Sequence, residues 1–279
     1  MKVNPTMLLP ADVVRMNCKG LFFIIFATVG LFFFSAEVTA SSKPSAVVLS
    51  AITERGRLLA DYDTAAWQST DAVMAAHPKA DPSGRYIAHK TEAGWVVDFG
   101  RLNSTGDKFL VTYEATQTGS PTRFEVKGFS PVREDTGWNL AAAKGIETAM
   151  KDFGGSDRPY NIAVLPAKRG GLYVYLYPAQ VKAGVYPLGA DVRYRVSLDG
   201  TKITEKRQMH RTIIEYAPAG SSEKTAGGYH THVLSDLPED TDVLLVLTRR
   251  PRVPEFVGAG KYMYTIDVNG NITVADRLK

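Results

Sequence analysis

The chain has one cysteine in 279 residues, Cys18, and it lies ahead of the only long apolar run. Residues 41–279 therefore contain no thiol. This excludes a disulfide framework, a thiolate metal site and a cysteine nucleophile from that part of the chain, which its core alone must hold together. Charge of one sign is also scarce: the net charge is +4, of which the first forty residues carry +1. The remaining +3 is too mild and too dispersed for a nucleic-acid surface, so no nucleic-acid partner is expected. No Gly-rich phosphate loop, no Gly-x-Ser-x-Gly nucleophile elbow and no internal repeat is present.

The longest apolar run, residues 21–34, has fourteen residues, whereas a membrane-spanning helix needs ~20. Lys19 precedes it, and Val38-Thr39-Ala40 follows as a small-x-small cleavage pattern. Residues 1–40 are read as a secretory signal peptide cut near Ala40, with an uncleaved anchor as the alternative. The expected location is periplasmic or extracellular, with membrane contact only during export. The long leader makes Met16 a candidate start. A lipidated cysteine would follow the apolar run, so Cys18 is not read as one.

Residues 41–279 are read as a single α+β domain with candidate sub-lobes 41–155 and 156–279: two helices with a small antiparallel sheet, then a larger antiparallel β region. In the first helix, within 41–84, Val48, Ile52, Leu59, Tyr62, Ala66 and Val73 fall near a three-four spacing, which makes one apolar stripe. Pro44 suits a first-turn position. Short strands follow at 85–90, 94–101, 108–116 and 122–128. The second helix covers 137–153, with Asp135 or Thr136 as its cap and Gly154-Gly155 as its stop.

Strands are expected at 160–165 and 172–177. In the second, Leu172, Val174 and Leu176 alternate with Tyr173, Tyr175 and Tyr177, and the tyrosine face is expected to cover a second layer of the same protein. Asp199-Gly200 and Asn269-Gly270 are hairpin turns, because such pairs accept positive φ. A Gly/Ser/Ala stretch runs through 217–228.

Two of the five histidines, His230 and His232, sit one residue apart on an expected strand. Side chains at i and i+2 share a strand face, about 6–7 Å apart along the backbone, so both imidazoles can reach one metal ion. Asp242 follows across a turn broken by Pro238 and is the candidate third ligand. His210 is a further candidate if its strand aligns with the pair.

At these residues the chain resembles the JAMM metalloprotease signature, in which His-Ser/Thr-His is followed by an Asp that completes the zinc site. The resemblance implies His230, His232 and Asp242 as metal ligands. Nine residues separate His232 from Asp242 where that pattern has ten, Glu239 stands in place of its Ser, and residues 243–248 read as a strand where it begins a helix. Its general-base Glu is missing from the strands at 160–166 and 172–177, so peptidase activity does not carry over. Taken whole, residues 41–279 resemble exported bacterial proteins of unassigned function, which implies a location.

Two functions follow. The first is a non-enzymatic cell-envelope protein that binds a protein or small ligand there, without catalytic residues or cofactor. The alternative is a metal-binding protein or metal-dependent hydrolase with zinc at His230, His232 and Asp242.

Overall fold

The computed structural model describes residues 43–279 apart from 80–83, 218–224 and 278–279. Residues 1–40, expected to be an export leader, and most of the Gly/Ser/Ala stretch lie outside the described residues. Helix α1 (Ala46–Ala76) runs uninterrupted for 31 residues, and the Ser45 hydroxyl caps it by accepting from Val48 N at 3.3 Å. Pro44 stands one position before that cap instead of in the first turn. Ile52, Leu59, Tyr62, Ala66 and Val73 are buried along one side, as the three-four spacing requires, whereas Val48, expected in the same stripe, is 41% exposed and Leu49 is buried in its place.

Strands β1 (Arg85–Thr91), β2 (Gly94–Leu102), β3 (Phe109–Gln117) and β4 (Phe124–Asp135) form an antiparallel sheet in chain order. The last strand continues past the expected end at 128. Its final residue, Asp135, accepts from Gly137 N at 2.9 Å and starts α2 (Trp138–Phe153). Gly154, in the left-handed region at φ 79°, ends that helix, a conformation that favours glycine.

The second sheet is built from β5 (Tyr160–Pro166), β6 (Leu172–Pro178), β8 (Val192–Val196) and β9 (Ile203–Gln208), in that spatial order. Between them β7 (Tyr186–Leu188) pairs with β10 (Ile214–Tyr216) as a two-stranded ribbon. Because successive strand residues face opposite ways, β6 buries both faces. Leu172, Val174 and Leu176 pack with Ala142, Ala143 and Ile146 of α2, while Tyr175 and Tyr177 pack with Leu59, Tyr62 and Ala66 of α1. The sheet is therefore enclosed between two helices, and the tyrosine face covers a second layer as expected. These clusters join residues on both sides of position 155, across the boundary between the candidate sub-lobes.

The third unit is β11 (Gly228–Thr231), α3 (Asp240–Thr248), β12 (Glu255–Ala259), β13 (Tyr262–Ile266) and β14 (Ile272–Arg277). Its sheet runs β11-β12-β13-β14, with β11 and β12 parallel and the other pairs antiparallel. Two expectations are corrected here. The strand expected at 243–248 is helix α3, so the described residues hold three helices. The late β region is also not wholly antiparallel, because α3 is the crossover between parallel strands that such pairing needs.

The physical reason is burial on every side: Val243, Leu244, Leu245 and Val246 are all in the core, which erases the amphipathic period that marks a surface helix. Capping settles the outcome, since Glu239 and Asp242 form a reciprocal capping box at the first turn. Gly56 lets α1 approach α3 closely, for a Cβ there would overlap Val243 Cβ and lie 2.7 Å from the Asp240 carbonyl oxygen. No described helix is long and apolar enough to cross a membrane.

Candidate metal centre

Four side chains from three segments meet at one point. His210 follows β9, His230 lies in β11, His232 lies just beyond it, and Asp242 sits in the first turn of α3. Parallel pairing seats β11 on β12, with His230 opposite Val257, and the His232 amide bonds the Gly258 carbonyl at 2.7 Å. The Asp242 carboxylate is positioned by its own helix cap, accepting from Glu239 N at 2.7 Å.

That first turn is anchored from below by Asp240, which is fully buried. Its carboxylate accepts from Arg55 Nε of α1 at 3.0 and 3.1 Å, from Arg193 Nη1 of β8 at 2.6 Å and from the Tyr175 hydroxyl of β6 at 2.8 Å. Two guanidinium groups and a phenol thus tie the start of α3 to the other two units.

Nε2 of His232 lies 2.9 Å from Nε2 of His210 and 3.1 Å from Nε2 of His230. The Asp242 carboxylate oxygens lie 3.1, 3.1 and 3.2 Å from Nε2 of His210, His230 and His232 respectively. All four ligand atoms lie within 4.8 Å of one another, which leaves room between them for an ion at the zinc–nitrogen and zinc–oxygen bond length of about 2 Å.

Each ring also holds a partner through its other nitrogen. Nδ1 of His210 meets Asp191 Oδ1 at 2.8 Å, Nδ1 of His230 meets Glu255 Oε1 at 2.8 Å, and Nδ1 of His232 meets the Leu237 carbonyl at 2.8 Å. Carbonyl and carboxylate oxygens only accept, so each Nδ1 carries the proton and each neutral ring turns an Nε2 lone pair inward. Such outer partners fix the tautomer of a metal-ligating histidine. Glu255 is itself held by Arg249 Nη1 at 2.8 Å and the Tyr216 hydroxyl at 2.8 Å.

Lone pairs converging at this range need a cation between them. In the metal-free protein protons fill that role. Burial pulls the His210 pKa down, but Asp191 and Asp242 outweigh it and hold His210 at about 11. His230 is likewise pulled down by burial and raised, by Asp242 and Glu255, to about 9. Burial pushes the Asp242 carboxyl up, and the surrounding imidazoles overcome this to hold it well below the usual range.

The side chains of the cluster are nearly sealed, with His230 and His232 each 1% exposed and Asp242 fully buried. One face nevertheless borders a cavity of about 500 Å³ lined by the three histidines together with Met209, Arg211 and Tyr229.

The structure thus brings together His230, His232 and Asp242, with His210 as a fourth donor. Asp191 and Glu255 carry no local pattern that would have singled them out, since each is far from its histidine in the chain. His77 and His89 stand apart: His77 stacks on Tyr113 with ring centres 4.6 Å apart, and His89 lies in β1. No protein-family model, curated protein or solved structure matches this chain.

Proposed function

We propose that this is an exported metal-binding protein in which His210, His230, His232 and Asp242 hold one zinc-class divalent ion. The observation that carries the reading is that His232 Nε2 lies 2.9 and 3.1 Å from Nε2 of His210 and of His230, and that the Asp242 carboxylate lies 3.1 to 3.2 Å from all three, with every Nδ1 committed outward. Imidazole and carboxylate ligands of this kind suit zinc and its neighbours among the transition metals. They need no thiolate, so the site is compatible with the oxidising compartment that the leader implies. Four protein donors complete a tetrahedral sphere, which is the pattern of ions that stabilise a fold.

The neighbouring carboxylates support the same non-enzymatic reading. Asp191 and Glu255 are committed to histidines, and Glu239 is engaged by Arg207 at 3.0 Å. None of these lines the metal-side cavity, where the base of JAMM-type hydrolysis would take a proton from water.

A second reading, a metal-dependent hydrolase, is favoured by one observation, the cavity of about 500 Å³ against three of the donors. Metal analysis of the purified protein tests the first proposal: one equivalent of ion is expected, lost in His232→Ala, and absence of any tight-binding divalent ion would overturn it. Cobalt substitution separates the readings. A hydroxamate leaves the visible spectrum unchanged if protein donors complete the sphere and shifts it if a cavity-facing position is open.

A further inference from the structure

A second cavity, of about 380 Å³, lies among α1, the end of β6, β7 and α3, and its lining includes Asp63, Trp67, Tyr177, Asp191 and Thr241. It adjoins the metal-side cavity through Leu188, which lines both; Asp191 lines this one, whereas its partner His210 lines the other.

The wall is rich in acceptors that the protein does not use. Asp63 Oδ1 accepts from the Tyr177 hydroxyl at 2.7 Å and from Asn161 Nδ2 at 3.5 Å, and among the described residues Oδ2 has no hydrogen-bond partner. Asp191 is 1% exposed and its Oδ2 has no partner, while Thr241 is 2% exposed and its hydroxyl has none either. Buried polar atoms are normally paired, so two unpaired oxygens on residues that line one cavity leave hydrogen-bonding capacity in its wall unmet.

The one cationic side chain in the lining, Arg250, directs Nη1 to the carbonyls of Leu247, Thr248 and Arg249. Among the described residues no guanidinium or ammonium neutralises Asp63, and burial raises its pKa accordingly. At the rim Trp67 is 64% exposed, an aromatic face open to a cation or an alkyl stem.

We propose that this cavity binds a primary ammonium group, with Asp63 as its counter-charge, Asp191 and Thr241 as further acceptors, and Trp67 packed along the alkyl stem. Three N–H donors on one small cation suit a lining in which, among the described residues, two carboxylates face only one cationic side chain, Arg250. A neutral polyol supplies donors too, but it leaves the carboxylate charge uncompensated.

The test is calorimetric titration of the full-length protein with 1,5-diaminopentane, with a lysine-containing peptide, and with 1,5-pentanediol as the neutral control. At least one amine is expected to bind and the diol is not; the two amine arms tell a free polyamine from a peptide side chain. Asp63→Asn is expected to weaken binding at least about tenfold, roughly the loss of one charge-assisted hydrogen bond. Trp67→Ala, at an exposed position, should weaken it several-fold without altering the circular dichroism.

The same titration on chelator-treated wild-type protein is expected to give the same affinity, which keeps this outcome distinct from that of the metal reading. The proposal is overturned if neither amine binds, if the diol binds as well as the amines, if Asp63→Asn or Trp67→Ala is without effect, or if amine binding vanishes on chelation.

Discussion

The carbonyl oxygen of Leu237 accepts the Nδ1 proton of His232 at 2.8 Å, so a backbone atom that cannot itself donate dictates which ring nitrogen faces Asp242. His232→Ala removes the donor that this contact aims. A protein that gains one equivalent of zinc in the wild type should then gain none. The wild type should melt higher with zinc than with chelator, by about 2.7 kcal/mol at a hundredfold excess over Kd, and the variant should show no difference. Calorimetry with and without chelator reads both.

Glu255 acts on the metal through His230. Glu255→Gln keeps the volume but weakens the acceptor at Nδ1, and substitutions of this kind lower metal affinity about 10–100-fold. Competition against a chromogenic chelator measures the loss. An affinity equal to that of the wild type would remove Glu255 from the positioning of the site.

Asp240 is the largest electrostatic commitment outside the cluster. Asp240→Ala leaves Arg55 and Arg193 without their shared carboxylate, and breaking a buried pair from one side costs about 3–5 kcal/mol. Urea unfolding should show that loss. A cost below ~1 kcal/mol would mean that water replaces the carboxylate without strain.

Gly56 tests how tightly α1 sets the position of α3. Gly56→Ala puts a methyl group into Val243 and the Asp240 carbonyl, with an overpacking cost of about 1–3 kcal/mol. Because α3 carries Asp242, metal affinity should fall alongside the melting temperature. A stability loss with unchanged affinity would show that α3 tilts without moving its first turn.

Asp63 predicts a pH effect. Burial raises its pKa above the ordinary value of 3.8, so the folded chain retains a proton that the unfolded chain has released. That contribution to stability is present below 3.8 and lost as pH rises through the folded value. Asp63→Asn cannot ionise, so its stability relative to the wild type should rise over that interval. Urea midpoints collected from acid to neutral pH check the sign, and parallel profiles would show that Asp63 does not contribute.

The His-x-His pair and Asp242 were legible because strand period and proximity in sequence sufficed. His210 was visible only as a lone histidine whose alignment depended on strand pairing. Helix α3 was hidden because Val-Leu-Leu-Val-Leu has no polar face, and a short apolar run does not distinguish a buried helix from a buried strand. The signal that could have found it was Glu239 with Asp242 three residues later, a capping pattern directly after Pro238. Missing α3 also concealed the parallel β11–β12 pair, since that pairing needs a crossover. The tyrosine face of β6 is legible because period-two alternation survives burial on both faces.

The donors of the cluster all fall between positions 210 and 242, in a stretch that holds no cysteine. If an ion fastens them, the late third of the chain is clasped by coordination in place of a covalent bridge. Such a clasp closes without an oxidant and opens to a chelator or to acid. Only His210, just past β9, ties the α1–sheet–α2 sandwich into that clasp.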